Sequence, residues 1–241
     1  MTLRFALMNR PPNQILEETF RQCCDMDASL NERLARFAAV SRKLNPAYAN
    51  LIDQLVERIE SNQADSVGPQ PGDLMPPFLL TDQTGRMVSL NDVIGDAPAA
   101  LIFHRGHWCP YCRINTKTLA QAYPRIQQAG GKIVAVMPDR QQYTAQMIED
   151  LDLPFPILTD LDNGYAMSLD LAIWLGAELR DFFGSRGHDL PGYQGNDSWI
   201  VPIPATFVVG TDGCVRARFI DPDYRRGLEI DKLLSAFRPS A

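Results

Sequence analysis

The chain has 241 residues, 45% of them hydrophobic and 22% charged, with 18 Pro and 16 Gly. That is an ordinary globular composition, long enough to bury a sizeable core without disulfide or metal staples. Acidic residues outnumber basic ones by 29 to 23, giving a net charge of -6 that repels phosphate backbones and anionic lipid headgroups; neither nucleic acid nor a membrane is an expected partner.

No stretch approaches the roughly 18 apolar residues of a transmembrane helix. The opening MTLRFALMNRPPN lacks the apolar region and small-residue cleavage site of a signal peptide, so a cytoplasmic location is expected. Residues 1–69 read as a helical extension. Leu30, Leu34, Phe37, Ala38 and Val40 form a rough helical stripe after a cap at Ser29. Pro46 opens a second helix, with Tyr48, Leu51, Ile52, Leu55, Val56 and Ile59 at spacings of three and four. Each stripe needs cover, from the body of the chain or from a second copy, and the latter makes a homodimer an expectation. Segment 62–77, with four Pro and two Gly, reads as a linker or extended lead-in.

Residues 70–241 read as an alternating α/β body. Strands are expected at Phe78–Thr81 and Met87–Leu90, with a buried central strand within Pro98–Arg105. A helix should start at Cys109, be kinked or ended by Pro124, and close at Gly130-Gly131. Ile133–Met137 is a second buried strand. A helix near 140–151, a short strand Phe155–Leu158 and a helix near 163–170 follow. Helix 177–185 is polar enough to lie on the surface. Ala205–Val209 and Val215–Ile220 form a hairpin around Thr211-Asp212-Gly213, and 227–237 is a closing helix. The fold class is therefore α/β: a central mixed sheet flanked by helices and preceded by a helical extension.

Five cysteines in a chain this long do not make a disulfide framework. Cys23 and Cys24 read as inert helix residues, and a remote resolving role for Cys214 is disfavoured. Cys109-Pro110-Tyr111-Cys112 carries the strongest chemical signal. A buried strand ends, a glycine turn follows, and Cys109 opens a helix whose N-terminal N–H groups and dipole stabilise a thiolate. Pro110 sits where a missing N–H costs nothing. The i, i+3 spacing sets Cys112 on the same face, within bridging reach and more deeply placed. Cys109 thus reads as the attacking thiol and Cys112 as the resolving one.

A zinc clip from His104, His107, Cys109 and Cys112 is the competing reading, and a silent remnant a third. Redox use is favoured, because the four fall within nine residues across a tight turn and no second C-x-x-C exists. Arg105 could stabilise a thiolate or a peroxide oxygen by charge-assisted hydrogen bonds, or be an ordinary ion-paired arginine. Trp108 reads as a shield over Cys109. His104 reads as structural. His107 is better placed for acid–base work yet not favoured for it, and His188 has no assigned role. Asp221-Pro222-Asp223-Tyr224-Arg225-Arg226 reads as a turn held by Asp–Arg pairing.

The segments PGDLMPPFLLTDQTGRMVSL, LIFHRGHWCPYCR, LPFPILTD, PIPATFVVGTDG and IDPDYRRGLEIDKLL occur in that order. Together they resemble the peroxiredoxin-like proteins of the alkyl hydroperoxide reductase/thiol-specific antioxidant (AhpC/TSA) group, within the thioredoxin-fold superfamily. The resemblance covers roughly residues 70–238. It implies a thioredoxin-like sheet, no metal or organic cofactor, and a cycle in which a thioredoxin- or glutathione-type donor restores the thiols. It also implies a cis bond at Ile203–Pro204, with Pro204 and Thr206 supporting the cysteine pair and its substrate. One departure stands out: the family places Pro and Thr or Ser seven and three residues before its peroxidatic cysteine, where this chain has Ile102 and Gly106. Cys-Pro-Tyr-Cys is shared with glutaredoxins, so exchange with protein or small disulfides is the alternative to hydroperoxide reduction. A non-catalytic interaction module is the third option.

Overall fold

The computed structural model describes residues 10–61 and 67–238. The chain begins with three helices: α1 (Pro12–Asp25), α2 (Leu30–Leu44) and α3 (Pro46–Ser61). Ser29 caps α2 as expected. Its side chain accepts from the Glu32 N–H while Glu32 accepts from the Ser29 N–H, so two end-of-helix donors are satisfied reciprocally. Leu30, Leu34 and Phe37 on α2, and Ile52, Leu55, Val56 and Ile59 on α3, are buried in the apolar core shared with the rest of the chain. The chain's own body covers most of both stripes, while Ala38, Val40, Tyr48 and Leu51 stay half-buried.

The body is built on a seven-stranded mixed sheet in the order β2-β1-β5-β4-β3-β8-β9. Its centre is β3 (Ala99–Phe103), parallel to β4 (Lys132–Met137), which is parallel to β5 (Ile157–Thr159). Their continuous apolar runs suit strands covered on both faces. The edges are antiparallel: β1 (Leu79–Asp82) and β2 (Met87–Ser89) on one side, β8 (Ala205–Val209) and β9 (Val215–Ile220) on the other. Helices α4 (Leu90–Ile94), α5 (Pro110–Gln128) and α6 (Gln141–Leu151) connect the strands, and α10 (Ile230–Phe237) closes the chain. Residues 62–66 of the expected lead-in lie outside the described residues. The part from Gly72 runs along the hairpin, with Gly72 N–H on Val215 O and Met75 N–H on Gly213 O.

Several expectations need correction. Leu90 does not end a strand: Ser89 and Asp92 form a second capping box, and the chain turns helical there. Pro124 neither ends nor divides α5. Its ring faces solvent while Leu119, Ala122 and Ile126 anchor the helix on the buried side. The helix stops where Gly130 takes φ +74°. Helix α8 (Ala177–Ser185) exposes one face but buries Leu179 and Phe183. A small antiparallel two-stranded sheet of β6 (Ala172–Trp174) and β7 (Ile200–Pro202), and the short helices α7 (Gly164–Ser168) and α9 (Leu190–Gln194), fill the segment before β8.

The Ile203–Pro204 bond is trans, as is every peptide bond among the described residues, against the expected cis form. The Ile203 N–H is held by Leu171 O and Ala205 enters β8 opposite Phe103, and between those anchors the chain keeps the intrinsically favoured isomer.

Candidate active site

Strand β3 delivers the site. Its last residue, Phe103, pairs with Val136 on one side and Ala205 on the other. The chain then leaves the carboxyl end of the central strand, where open α/β sheets place their sites. Residues 104–109 form a tight turn closed by Cys109 N–H on Gly106 O, and Cys109 is the N-cap of α5. Gly106 has φ +140°, and a Cβ built there would stand 2.6 Å from both Asp139 Oδ1 and Trp108 Nε1. The turn requires glycine for backbone shape and for close approach.

All five cysteines are unbridged. Cys109 is 0% exposed and Cys112 3%, so the expectation that Cys112 lies deeper is not met; both sulfurs are buried. Burial alone would push the Cys109 thiol up. Hydrogen bonding from the Cys112 thiol and backbone N–H, together with the Arg105 charge, overcomes burial and holds it well below the ordinary thiol range. Cys112 goes the other way: burial and the neighbouring Cys109 thiolate push it well above that range. The pair is thus polarised, with the negative charge on the residue at the helix N-terminus.

Arg105 is the principal support. It is 2% exposed and donates from Nη2 to Cys109 Sγ at 3.2 Å. Its guanidinium carbon lies 3.4 Å from the Tyr224 ring centroid and 5.1 Å from that of Trp108. Its Nε and Nη1 are buried without a hydrogen-bond partner among the described residues. Tyr224 in turn meets Tyr111 edge-on and shares a 3.0 Å hydroxyl contact with Tyr48 of α3. The extension therefore reaches the arginine that holds the thiolate.

The histidines turn away from the sulfurs. Thr116 donates its single hydroxyl proton to Cys112 O at 2.8 Å, so the 3.1 Å contact between His104 Nε2 and Thr116 Oγ1 makes Nε2 the donor. Burial pushes His104 down to about 4. It is a neutral, structural histidine. His107 Nε2 meets Asp150 at 2.9 Å, and Asp150 also pairs with Arg113 at 3.5 Å. Neither ring is directed to a cation site with the cysteines.

Of the remaining expected residues, Trp108 is half-buried against Phe183 in the turn. Pro204 lies at the same end of the sheet as the cysteine turn, because Ala205 pairs with Phe103. Thr206 does not join the site: it lines a cavity with Val208, Ala217 and Lys232. The Asp221–Arg226 turn is held by Asp–Arg pairs as expected, Arg225 to Asp223 at 2.6 Å and to Asp53 of α3 at 2.7 Å. The sequence marks its Tyr224 only as a turn residue and Tyr48 only as part of a helical stripe, and it does not single out the buried Asp139, which accepts from the His107 backbone N–H. Asp139 carries one usable signal, two residues beyond a buried strand, and Tyr224 another, inside the segment IDPDYRRGLEIDKLL.

Comparison with known proteins agrees with this architecture. A model of the AhpC/TSA family matches residues 71–218. A chloroplastic peroxiredoxin Q from Sedum lineare is 30% identical over 92 residues, 38% of this chain and 49% of that protein, about half of its length. A thiol-disulfide oxidoreductase ResA from Bacillus cereus is 23% identical over 167 residues, 69% of this chain and 79% of that protein. Among solved structures, the peroxidoxin BcpB of Mycobacterium tuberculosis superposes with a TM-score of 0.55 at 20% identity, covering 70% of this chain and 96% of that one. That likeness establishes the fold. No helix among the described residues is long and apolar enough to cross a membrane.

Proposed function

The chain belongs to the AhpC/TSA family, and on that premise we propose that it is a thiol-dependent oxidoreductase reducing hydroperoxides through a Cys109–Cys112 dithiol–disulfide cycle. In the first step the Cys109 thiolate attacks a peroxide oxygen. The O–O bond breaks, Cys109 becomes a sulfenic acid, and the departing oxygen leaves as water or an alcohol after taking a proton. The Cys112 thiol then condenses with the sulfenic acid to give the disulfide and water. Two thiols from a thioredoxin- or glutathione-type donor restore the resting pair. A reducing, cytoplasmic compartment suits five free thiols.

One observation carries the choice of substrate: the Cys109 sulfur is 0% exposed yet touches a buried guanidinium with two uncommitted donor nitrogens. A peroxide is small enough for an enclosed site, and its oxygens accept hydrogen bonds from such donors. A protein disulfide needs an accessible sulfur, which this arrangement withholds. Arg105 takes over the donor role for which residue 106, a glycine, has no side chain. Trp108 and Tyr224 hold its guanidinium in place. Pro204 supports the turn from the residue just before β8. Thr206 has a packing role. Residues 70–241 form the catalytic body, and 1–69 are an extension whose Tyr48 completes the wall.

The distinguishing experiment offers pre-reduced protein either hydrogen peroxide or an equimolar protein disulfide and follows free thiols over time. Rapid loss of two thiols to peroxide, with slow exchange against the protein disulfide, is expected. The reverse order would make the chain a disulfide oxidoreductase.

A further inference from the structure

Six buried polar atoms without a partner among the described residues surround the cysteine turn: Arg105 Nε and Nη1, His107 Nδ1, Trp108 Nε1, Arg113 Nε and Asp139 Oδ1. Five of them are nitrogens. The sixth is a carboxyl oxygen with no function in the cycle described above. Building on the hydroperoxide reading, we propose that Asp139 is the proton store of this site: it takes the proton that Cys109 releases and returns it to the departing peroxide oxygen.

The placement follows from the backbone. Asp139 stands two residues beyond β4, at the carboxyl end of the strand beside β3, and is 0% exposed. Its Oδ2 accepts from the His107 backbone N–H at 2.5 Å, which fixes the carboxyl against the cysteine turn. Its Oδ1 fills the space a side chain at Gly106 would need, beside the indole nitrogen of Trp108. No Arg or Lys pairs with Asp139 among the described residues. The titratable groups facing it are Cys109 from the turn and Tyr193 from α9; the His107 ring turns away to Asp150, which also pairs with Arg113, and Arg140 turns to Tyr143.

A bare carboxylate in such a place, beside a thiolate and without a counter-ion, is strongly disfavoured. One proton shared between the two acids settles on the carboxyl, because Arg105 stabilises the sulfur anion and nothing cationic stabilises Asp139. Burial, with the Cys109 charge added, pushes the Asp139 carboxyl up to about 7 against the single hydrogen bond from His107. The resting site is then a thiolate beside a neutral acid.

The chemistry balances. Cys109–SH and the Asp139 carboxylate become Cys109–S⁻ and Asp139–COOH. The thiolate sulfur bonds to one peroxide oxygen as the O–O bond breaks, and the other oxygen takes the Asp139 proton. The products are Cys109–SOH, water or an alcohol, and the Asp139 carboxylate. Hydroxide and alkoxide are poor leaving groups at neutral pH, so a poised acid is worth about 100-fold or more in rate.

The test compares two reagents on the full-length Cys112→Ser protein, with and without Asp139→Asn. Asn keeps an oxygen to accept the His107 N–H but holds no proton to give. Sulfenic acid formation by hydrogen peroxide should fall about 100-fold at neutral pH and lose the alkaline decline that the parent shows as Asp139 ionises. Alkylation by iodoacetamide, whose iodide needs no proton to depart, should change only a few-fold. An Asp139→Asn protein with the parent's peroxide rate and alkaline decline would overturn the role of Asp139 and leave the peroxidase reading intact. A parent that alkylates readily but ignores peroxide would overturn the peroxidase reading and this role with it. If Asp139→Asn does not fold, the parent profile decides: peroxide reactivity flat from neutral to alkaline pH overturns the proposal.

Discussion

Arg105 donates from Nη2 to the Cys109 sulfur at 3.2 Å while its guanidinium carbon lies 3.4 Å from the Tyr224 ring centroid. The cation is clamped by a ring on one side and points at the nucleophile on the other. Replacing it with Met keeps much of the volume and removes the charge. The Cys109 thiolate titration, followed by ultraviolet absorbance, should then move up by about 2 pH units. Arg105→Lys keeps the charge but loses the planar stack, and should fall between Met and the parent.

Tyr48 on α3 and Tyr224 share the 3.0 Å hydroxyl contact that joins the helical extension to the site wall. Tyr48→Phe should destabilise the fold by about 1 kcal/mol in denaturant unfolding, since it leaves a buried hydroxyl with one partner fewer. Tyr48→Ala removes the ring as well. Labelling of Cys109 by a bulky maleimide, nearly blocked in the parent, should accelerate in that variant. Unchanged labelling would mean that the extension does not cover the sulfur.

Gly106 has φ +140° and no room for a methyl group against Asp139 and Trp108. Gly106→Ala should cost about 1–3 kcal/mol of stability and shift the turn that positions Cys109. Thermal unfolding and the alkylation rate of Cys109 check both effects together.

His104 gives the acid limb of stability a defined origin. The unfolded chain protonates this ring near its ordinary 6.5, but burial holds it down to about 4 in the fold. Between those values the unfolded state binds more protons. The contribution of His104 is therefore complete above about 6.5 and is lost as pH falls toward 4. Asp139 acts in the opposite sense, binding more protons in the fold, so its contribution is lost as pH rises through about 7. His104→Gln should flatten the decline between pH 6.5 and 4 in denaturant titrations, and leave the trend above it unchanged.

The parts of this molecule legible in sequence are those encoded locally. The Ser29 cap, the apolar runs of β3 and β4, and Cys109 opening a helix all depend on residues a few positions apart, and each stands where expected. Pro124 misled because a helix anchored through Leu119 and Ile126 tolerates proline on its solvent face. Trp174 and Ile200, paired in the small two-stranded sheet, are separated by two helices, and no periodicity links them. The site shows the same division. Cys109, Cys112 and Arg105 lie within eight positions of one another, whereas Tyr48, Asp139 and Tyr224 arrive from three distant segments. Proline at 204 suggested a cis bond by resemblance, and the chain keeps the intrinsically favoured trans form there instead.

The most direct test is a time-resolved mass measurement of pre-reduced protein after stoichiometric hydrogen peroxide, with the Cys112→Ser and Cys109→Ser variants alongside. Reduction of peroxide by this pair predicts that the parent loses two hydrogens to a Cys109–Cys112 disulfide, that Cys112→Ser gains one oxygen at Cys109, and that Cys109→Ser is inert over the same interval. Survival of both thiols for minutes in the parent, or oxidation that proceeds equally in Cys109→Ser, would contradict it.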